Sequence, residues 1–227
     1  MKFPDRFLPC FALAALFLLL GIGILVIQTM VTKPDLVPLN RTELSERYTF
    51  HTMVIIPRMP HVYLQLLLSN AGVALFVLLV PLYWVSIWFI RRELLQHIIA
   101  LMQATVLLLM AALGHNSFSK LYEYYRTLPP DLVVTLYWPH GIPEMIAFVL
   151  AGTFSLLCIR DVAGYLAAAG DSPGIHPGEV VLFVLGRTYR IFLAILLLLA
   201  VSAVIECYVT PLMVEAAYRT ALAGMAG

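Results

Sequence analysis

The sequence predicts an all-α protein, a polytopic membrane helix bundle with about five transmembrane helices and short amphipathic or re-entrant segments between them. Two observations are compositional: 62% of the 227 residues are hydrophobic, and only 12% are charged. Soluble domains carry about 25% charged residues. The third observation is that the apolar residues form runs near the roughly 20 residues that cross a bilayer as a helix. We therefore expect a multi-pass integral protein of the cell membrane, with residues 1–227 forming one domain.

The first apolar run follows Lys2 and Arg6, as the apolar run of a signal peptide would. It is too long for a typical signal sequence, and no clear small-residue cleavage site follows it, so we expect an uncleaved first helix. Four further runs have a suitable length and little charge. The five predicted spans are residues 8–31, 62–90, 94–114, 138–160 and 188–210.

The segments between the spans differ in character. Residues 32–60 are expected to form a polar loop with a short helix at residues 41–53, and Arg91–Glu93 a tight turn. Residues 132–138 are apolar, so they form either a short re-entrant arm or the approach to a surface turn. A Pro/Gly turn within residues 161–189 is expected to precede an interfacial helix that continues into the fifth span.

Charge and cysteine content exclude several classes of partner and bond. The net charge of +1 predicts no nucleic-acid partner. The three cysteines lie in or beside apolar runs, so small buried thiols are expected rather than disulfides. Seven basic residues fall on each side of the predicted membrane, so the positive-inside rule leaves the orientation open. The Arg91–Arg92 pair in the shortest loop favours a cytoplasmic N-terminus.

Polar residues concentrate at one end of the predicted bundle. Because five consecutive spans alternate in direction, the ends of the first, third and fifth spans share a leaflet with the starts of the second and fourth. A carboxylate inside a span is costly unless it is paired, solvated or protonated, so Glu144 and Glu206 are expected to face the bundle interior. The residues expected in this polar cluster are Asn70, Asn116, His140, Gly141, Glu144, Glu206 and Thr210.

The roles of the two carboxylates stay open. Pro139, Gly141 and Pro143 are expected to end one segment and begin the next helix, with Glu144 in its first turn. Glu144 is then either a helix-start residue at the membrane interface or a functional group. Glu206 forms either a structural hydrogen bond to a neighbouring helix or part of a transport or proton path.

The sequence contains no H-E-x-x-H motif, nucleophile elbow or phosphate-binding loop. We therefore expect no enzymatic activity, no catalytic or metal-binding residue, and no cofactor. Small residues on the second and fourth spans permit close helix packing, either within one chain or in a homodimer. They are Gly72, Ala74, Ala147, Ala151, Gly152 and Ser155.

Three stretches resemble a known family: "LLLSNAGVAL", "PHGIPEMIAFVLAGTFSL" and "LLLLAVSAVIECYVTP". In this order and at this separation they resemble the stage II sporulation protein M (SpoIIM) family, from about Leu66 to Pro211. Residues 115–131 do not match, and Asn70 precedes an alanine where many relatives have a second asparagine. The residues that the resemblance carries over are Asn70, Pro139, His140, Gly141, Glu144, Glu206, Thr210 and Pro211.

The resemblance implies a non-enzymatic membrane protein that anchors or assembles an envelope complex. The name-giving member belongs to a machine that remodels peptidoglycan while two other proteins supply the wall-cutting chemistry. Other relatives accompany circular-bacteriocin production and immunity, beside ABC transporter subunits. The alternative is a subunit of a transporter, channel or peptide export and immunity system, with Glu144 and Glu206 lining a cavity. Expected partners are the lipid bilayer and other membrane or envelope proteins, with a second copy of the chain and ABC transporter subunits as further candidates.

Overall fold

The structure is a computed structural model that describes residues 3–83, 95–117, 120–169 and 176–225. Within those residues every regular element is helical. The α-helices are α1 (Phe3–Thr32), α2 (Arg41–Phe50), α3 (Ile56–Leu78), α4 (Leu95–Ser117), α5 (Leu121–Thr127), α6 (Pro130–Ala169), α7 (Pro177–Val204) and α8 (Thr210–Gly224). A single turn of π-helix, π1 (His51–Ile55), joins α2 to α3, and a second, π2 (Ile205–Val209), joins α7 to α8.

Five helical stretches are long and apolar enough to cross a bilayer. This confirms the predicted all-α bundle with five candidate spans. The stretches are Arg6–Thr32, Arg41–Leu78, Gln96–His115, Pro130–Leu166 and Gly178–Gly224. Most are longer than the corresponding predicted spans, because flanking polar residues continue the helices beyond their apolar centres.

The predicted helix break at Pro139, Gly141 and Pro143 is wrong. All three lie inside α6, which runs for 40 residues without interruption. Residues 132–138 belong to the same helix, so they form neither a re-entrant arm nor the approach to a turn. Glu144 is therefore in the interior of a long helix and not in a first turn.

The physical reason is that α6 is packed on both sides of its prolines. Proline lacks a backbone N–H, and its ring crowds the carbonyl four residues earlier, which ordinarily ends a helix. Membrane helices tolerate proline where neighbouring helices support the segment. In α6, Leu132 is buried before the prolines and Ala147 is buried after them. The hydroxyl of Ser202 also donates to the backbone carbonyl of His140, between the two prolines, over 2.7 Å.

The predicted polar loop at residues 32–60 is helical over its second half. The expected short helix is present as α2, and Asn40 caps it: its side-chain oxygen accepts from the Glu43 N–H, while the Glu43 carboxylate accepts from the Asn40 N–H. The chain then passes through π1 directly into α3, which contains Pro60. The second stretch is thus helical from Arg41 to Leu78.

Both π-turns end two residues before a proline. π1 ends at Ile55 ahead of Pro57, and π2 ends at Val209 ahead of Pro211. The extra residue in a π-turn changes which carbonyl lies opposite the proline, and insertions of this kind commonly accompany helix kinks. Because of π2, the last stretch does not end at Pro211, as the prediction had it, but continues to Gly224.

Two other predicted features differ from the structure or lie outside its described part. No separate interfacial helix precedes the fifth stretch, because α7 begins at Pro177 and continues directly to Val204. The tight turn at Arg91–Glu93, the last part of the second span and residues 170–175 of the Pro/Gly turn lie outside the described residues.

Contacts between residues divide the chain into two compact units. The first, which we call the α4 unit, comprises Met1–Ile22, Ala71–Asn116 and Ala147–Leu196. Its tightest contact is between α1 and α4: a Cβ atom on Gly21 would overlap the carbonyl oxygen of Ala111, and one on Gly114 would overlap that of Leu18. Glycine at both positions lets the two backbones touch directly.

Five of the six small residues expected to permit close packing do so within this unit. Gly152 faces Met110, because a Cβ atom added to this glycine would lie 2.7 Å from the Met110 Sδ. Four of the other small residues are buried. The exception is Gly72, which is exposed with open space around it. The buried small residues are Ala74, Ala147, Ala151 and Ser155.

The second unit, which we call the α8 unit, comprises Gly23–Asn70, Ser117–Ile146 and Leu197–Gly227. Its core joins the short helices α2 and α5 to α8 and the first turns of α6. Leu44, the one buried residue of the polar helix α2, is fully buried there. The other buried members of this core are Leu128, Leu132, Val133, Val214 and Tyr218.

The cysteines are free thiols, as the sequence predicted. Cys10, Cys158 and Cys207 are each buried and unpaired with one another. They serve as small apolar residues in the packed helices.

Candidate functional site

Six of the seven residues predicted to form the polar cluster lie in the α8 unit. The exception is Asn116, the last residue of a segment of the α4 unit, whose side chain lies outside the described part of the structure. The six are Asn70, His140, Gly141, Glu144, Glu206 and Thr210. The alternation of span directions therefore brought together residues that are up to 140 positions apart in sequence.

His140 connects α6 to the last helical stretch through both its side chain and its backbone. Its Nδ1 lies 3.2 Å from the hydroxyl oxygen of Thr210, while its carbonyl accepts the bond from Ser202. Thr210 and Ser202 are buried, and they lie on either side of π2. The following residue, Gly141, is also buried, although open space surrounds the position of an added Cβ. The sequence did not single out Ser202, although a serine in an apolar run is a common inter-helix donor.

Glu144 interacts with polar groups of two other helical segments. The side chain of Asn70, from α3, hydrogen-bonds to Glu144, and Glu206 is near enough for its charge to act on Glu144. Both glutamates are partly buried. Carboxylates that approach each other away from water repel, unless they share a proton or receive hydrogen bonds. Asn70, Glu144 and Glu206 therefore form a polar connection between α3, α6 and π2.

His51 also belongs to the site, although no sequence pattern indicated a role for this residue. It is buried in π1, and its Nε2 lies 3.0 Å from the backbone carbonyl oxygen of Pro211. Because a carbonyl oxygen only accepts, Nε2 carries the proton that is donated. The imidazole also packs against Tyr218, with ring centroids 5.8 Å apart. No local sequence pattern identifies His51, because its partner Pro211 is 160 positions away.

A cavity of about 540 Å³ opens beside these residues, within the α8 unit. Its volume is within the range of about 300–1,000 Å³ that small-molecule pockets occupy. Side chains from α2, π1, α3, α5, α6, π2 and α8 line it. The polar and aromatic lining residues are Arg47, Phe50, His51, Lys120, Glu123, Tyr124, Tyr137, His140, Glu206, Thr210 and Tyr218. Among the described residues, no three His, Cys, Asp or Glu side chains group closely enough to hold a metal ion.

Charged residues of both signs line the cavity, among them Arg47, Lys120 and Glu123. The ammonium of Lys33 lies 2.6 Å from the carboxylate of Glu123, and Lys120 and Arg47 also act on this carboxylate. The hydrogen bond from Lys33 lowers the pKa of Glu123 below its ordinary value, with smaller contributions from all three positive charges. Three cations thus surround one carboxylate.

The Lys33–Glu123 pair should give a small, pH-dependent stabilisation. Both side chains are partly exposed, so Lys33→Met is expected to cost about 0.2–1 kcal/mol at pH 7. The pKa of Glu123 is lowered in the folded state, so the contribution is present above the ordinary glutamate pKa of about 4.3. It is lost as the pH falls through the folded value. Thermal unfolding of both proteins in detergent at pH 7 and below about pH 4 measures this, and a difference that persists unchanged at low pH contradicts it.

Comparison with known proteins agrees with the helices and the motifs. A family model described as stage II sporulation protein M matches residues 12–211, which include every described residue of the polar cluster. A search of curated proteins found no match, and neither did a search of solved structures. The match extends over most of the chain, and the structure has the five apolar helices of a multi-pass membrane protein. The chain therefore belongs to the stage II sporulation protein M (SpoIIM) family.

Proposed function

We propose that this protein is a non-enzymatic membrane component that anchors or assembles an envelope complex at the cell membrane. The observation that supports this role best is the use made of the polar cluster. Thr210 and Ser202 of the last helical stretch each bond to His140 of α6, and Asn70 bonds to Glu144. Groups used in this way hold a bundle in one arrangement, as a platform for partner proteins requires.

The test compares the carboxylate variants Glu144→Gln and Glu206→Gln with the control Glu46→Gln, which changes an exposed carboxylate on α2 away from the cavity. The variants are tagged, cross-linked in membranes and purified. If the cluster shapes a platform, Glu144→Gln and Glu206→Gln lower the recovery of cell-wall-remodelling enzymes or the abundance of the protein, and Glu46→Gln lowers neither. Equal recovery from all four proteins, or no envelope protein recovered with the unmodified chain, would count against assembly.

A second candidate function is a subunit of a transporter, channel or peptide export system. It is favoured by the cavity, which reaches Glu206 and His140 inside a candidate span. Buried ionisable residues in membrane helices commonly mark ion or substrate paths. Purified protein in liposomes with a pH-sensitive dye tests it: proton flux that Glu144→Gln and Glu206→Gln abolish and Glu46→Gln retains favours transport over assembly. Liposomes that show no flux above protein-free controls argue against proton transport by this chain alone.

A further inference from the structure

A cluster of charged residues in the α4 unit joins α1, α6 and α7. The carboxylate of Asp161, on α6, pairs with arginines of both other helices: Arg187 at 2.7 Å and Arg6 at 3.6 Å. The Asp161 side chain is 20% exposed, whereas Arg6 is 45% and Arg187 is 40% exposed. One carboxylate therefore holds two guanidinium groups beside each other, and each group stays accessible in part.

The cluster has an excess of positive charge. Arg160 precedes Asp161 on α6 and is exposed. Its charge acts on the thiol of Cys10, which lies one turn after Arg6 on α1. A third guanidinium is therefore near the α1 side of the ion pairs. Among the charged side chains that the structure describes here, three arginines surround one carboxylate, so two positive charges are not neutralised.

The next described carboxylate on α7 is engaged elsewhere. Glu179 is eight residues before Arg187, about 12 Å along the helix at 1.5 Å per residue. It accepts a hydrogen bond from the hydroxyl of Tyr165 over 3.3 Å, and the Tyr165 ring stacks on Phe183 with centroids 6.1 Å apart. Asp161 is thus the carboxylate that contacts the arginines, and Glu179 belongs to a separate contact between α6 and α7.

Apolar side chains of the candidate spans adjoin the cluster. Arg6 begins the first candidate span, and it is followed by Phe7, whose ring lies 5.8 Å from that of Phe154 on α6. The next side chain, Leu8, is 68% exposed. Exposed apolar side chains of a membrane span contact lipid tails, and arginines near the end of a span extend toward the headgroups. A ligand that reaches this cluster from the bilayer therefore has both hydrocarbon and a charged headgroup.

We propose that this cluster binds the phosphate of an anionic membrane lipid. A guanidinium has five N–H donors, and the contacts of Arg6 and Arg187 with Asp161 are each made through one terminal nitrogen, so donors are left for a phosphate. Together with Arg160 they supply charge-assisted hydrogen bonds from three helices. Basic pockets between membrane helices bind anionic headgroups in this way. The acyl chains lie along the apolar surface of α1, beside Leu8.

The first experiment varies the lipid and leaves the protein unmodified. Purified protein in detergent is titrated with phosphatidylglycerol and with phosphatidylcholine of the same acyl chains, and native mass spectrometry counts the bound lipid. Both headgroups contain a phosphate, but only phosphatidylglycerol has a net negative charge. The excess positive charge of the cluster should make it bind about tenfold more tightly. Equal affinity for the two lipids would overturn the proposal.

The second experiment removes one arginine and keeps both contacts of Asp161. Arg160→Gln should weaken phosphatidylglycerol by about fivefold and leave phosphatidylcholine unchanged. The matched control is Arg41→Gln, which removes the same charge from an exposed position of the α8 unit. If Arg160→Gln has no effect, or if Arg41→Gln weakens the lipid equally, the assigned site is wrong.

Arg187→Gln is the more severe variant, because it also removes the shorter contact of Asp161. It should abolish the preference for phosphatidylglycerol, and a preference that survives this change contradicts the site. Its melting temperature shows whether the protein still folds. If it does not fold, the unmodified protein and Arg160→Gln decide the question.

Glycerol 3-phosphate distinguishes a lipid from a soluble phosphate compound. It has the phosphate but no acyl chain, so at equal concentration it should not displace bound phosphatidylglycerol. Displacement by an equal concentration would show that the cluster takes soluble phosphates, and the lipid proposal would be wrong. The proposal does not depend on assembly of an envelope complex. Arg160 lies outside the polar cluster, so Arg160→Gln can weaken the lipid while the recovery of partner proteins stays unchanged.

Discussion

Gly114→Ala is expected to destabilise the protein strongly, because α1 and α4 touch at this position. The added Cβ would overlap the backbone carbonyl of Leu18, and a backbone cannot rotate away as a flexible side chain does. Overpacking typically costs about 1–3 kcal/mol, and we expect this substitution to be at or above the upper end of that range. Gly21→Ala should behave alike, since its Cβ would overlap the carbonyl of Ala111. Membrane abundance and thermal unfolding in detergent measure both effects.

Gly23→Ala is the matched control for this prediction. It lies on α1, two residues from Gly21, and an added Cβ there meets no atom within 4 Å. Alanine is also the better helix former, so this substitution should leave the melting temperature unchanged or raise it. If Gly114→Ala and Gly23→Ala unfold at the same temperature, the close approach of α1 and α4 is not a feature of the folded protein.

Leu44→Ala should have the second large effect. The rest of α2 is mainly polar, and Leu44 is its one buried side chain, packed among the core residues of the α8 unit. Truncation of a fully buried leucine typically costs about 2–5 kcal/mol, as lost burial and as the cavity that remains. Because Arg47, on the same helix, lines the cavity, a detached α2 should also open the cavity wall.

The control for this second prediction is Leu212→Ala, on α8. Its side chain is 60% exposed, so its truncation should change the free energy of unfolding by no more than about 0.5 kcal/mol. Thermal unfolding and limited proteolysis at residues 33–40, the segment before α2, give two independent measurements. Stability of Leu44→Ala equal to that of Leu212→Ala would show that α2 is not anchored through this core.

The number of spans and their alternation are enough to predict a polar cluster at one end of the bundle. Asn70, Glu144 and Glu206 are separated widely in sequence, yet each is near the same end of its span, and the structure places all three in the α8 unit. Asn116 was predicted in the same cluster, but it is the last residue of a segment of the α4 unit. Local patterns of hydrophobicity determine the depth of a residue in a span but do not determine which neighbour it bonds to.

The proline positions were predicted less well, for a physical reason. Proline next to glycine and histidine favours a helix break in an isolated segment. The break does not form at Pro139 and Pro143 because α6 is buried on both sides of them, at Leu132 and at Ala147. At Pro57 and Pro211 the chain instead adds a residue as a π-turn and continues. Contacts with neighbouring helices determine whether a proline ends a helix, is accommodated in it or is preceded by a π-turn. The sequence of one segment does not contain the information about those contacts.

The sequence alone determined that this is an all-α membrane protein with five candidate spans and that it resembles the SpoIIM family. Those properties follow from composition, the length of apolar runs and short motifs, which are local. Only the tertiary structure decided that "LYWPHGIPEMIAF" is continuous helix, that Gly21 and Gly114 bring α1 and α4 together, and that His51 joins the site. These depend on which backbones touch and which hydroxyls reach a carbonyl, and such contacts form between residues far apart in the chain.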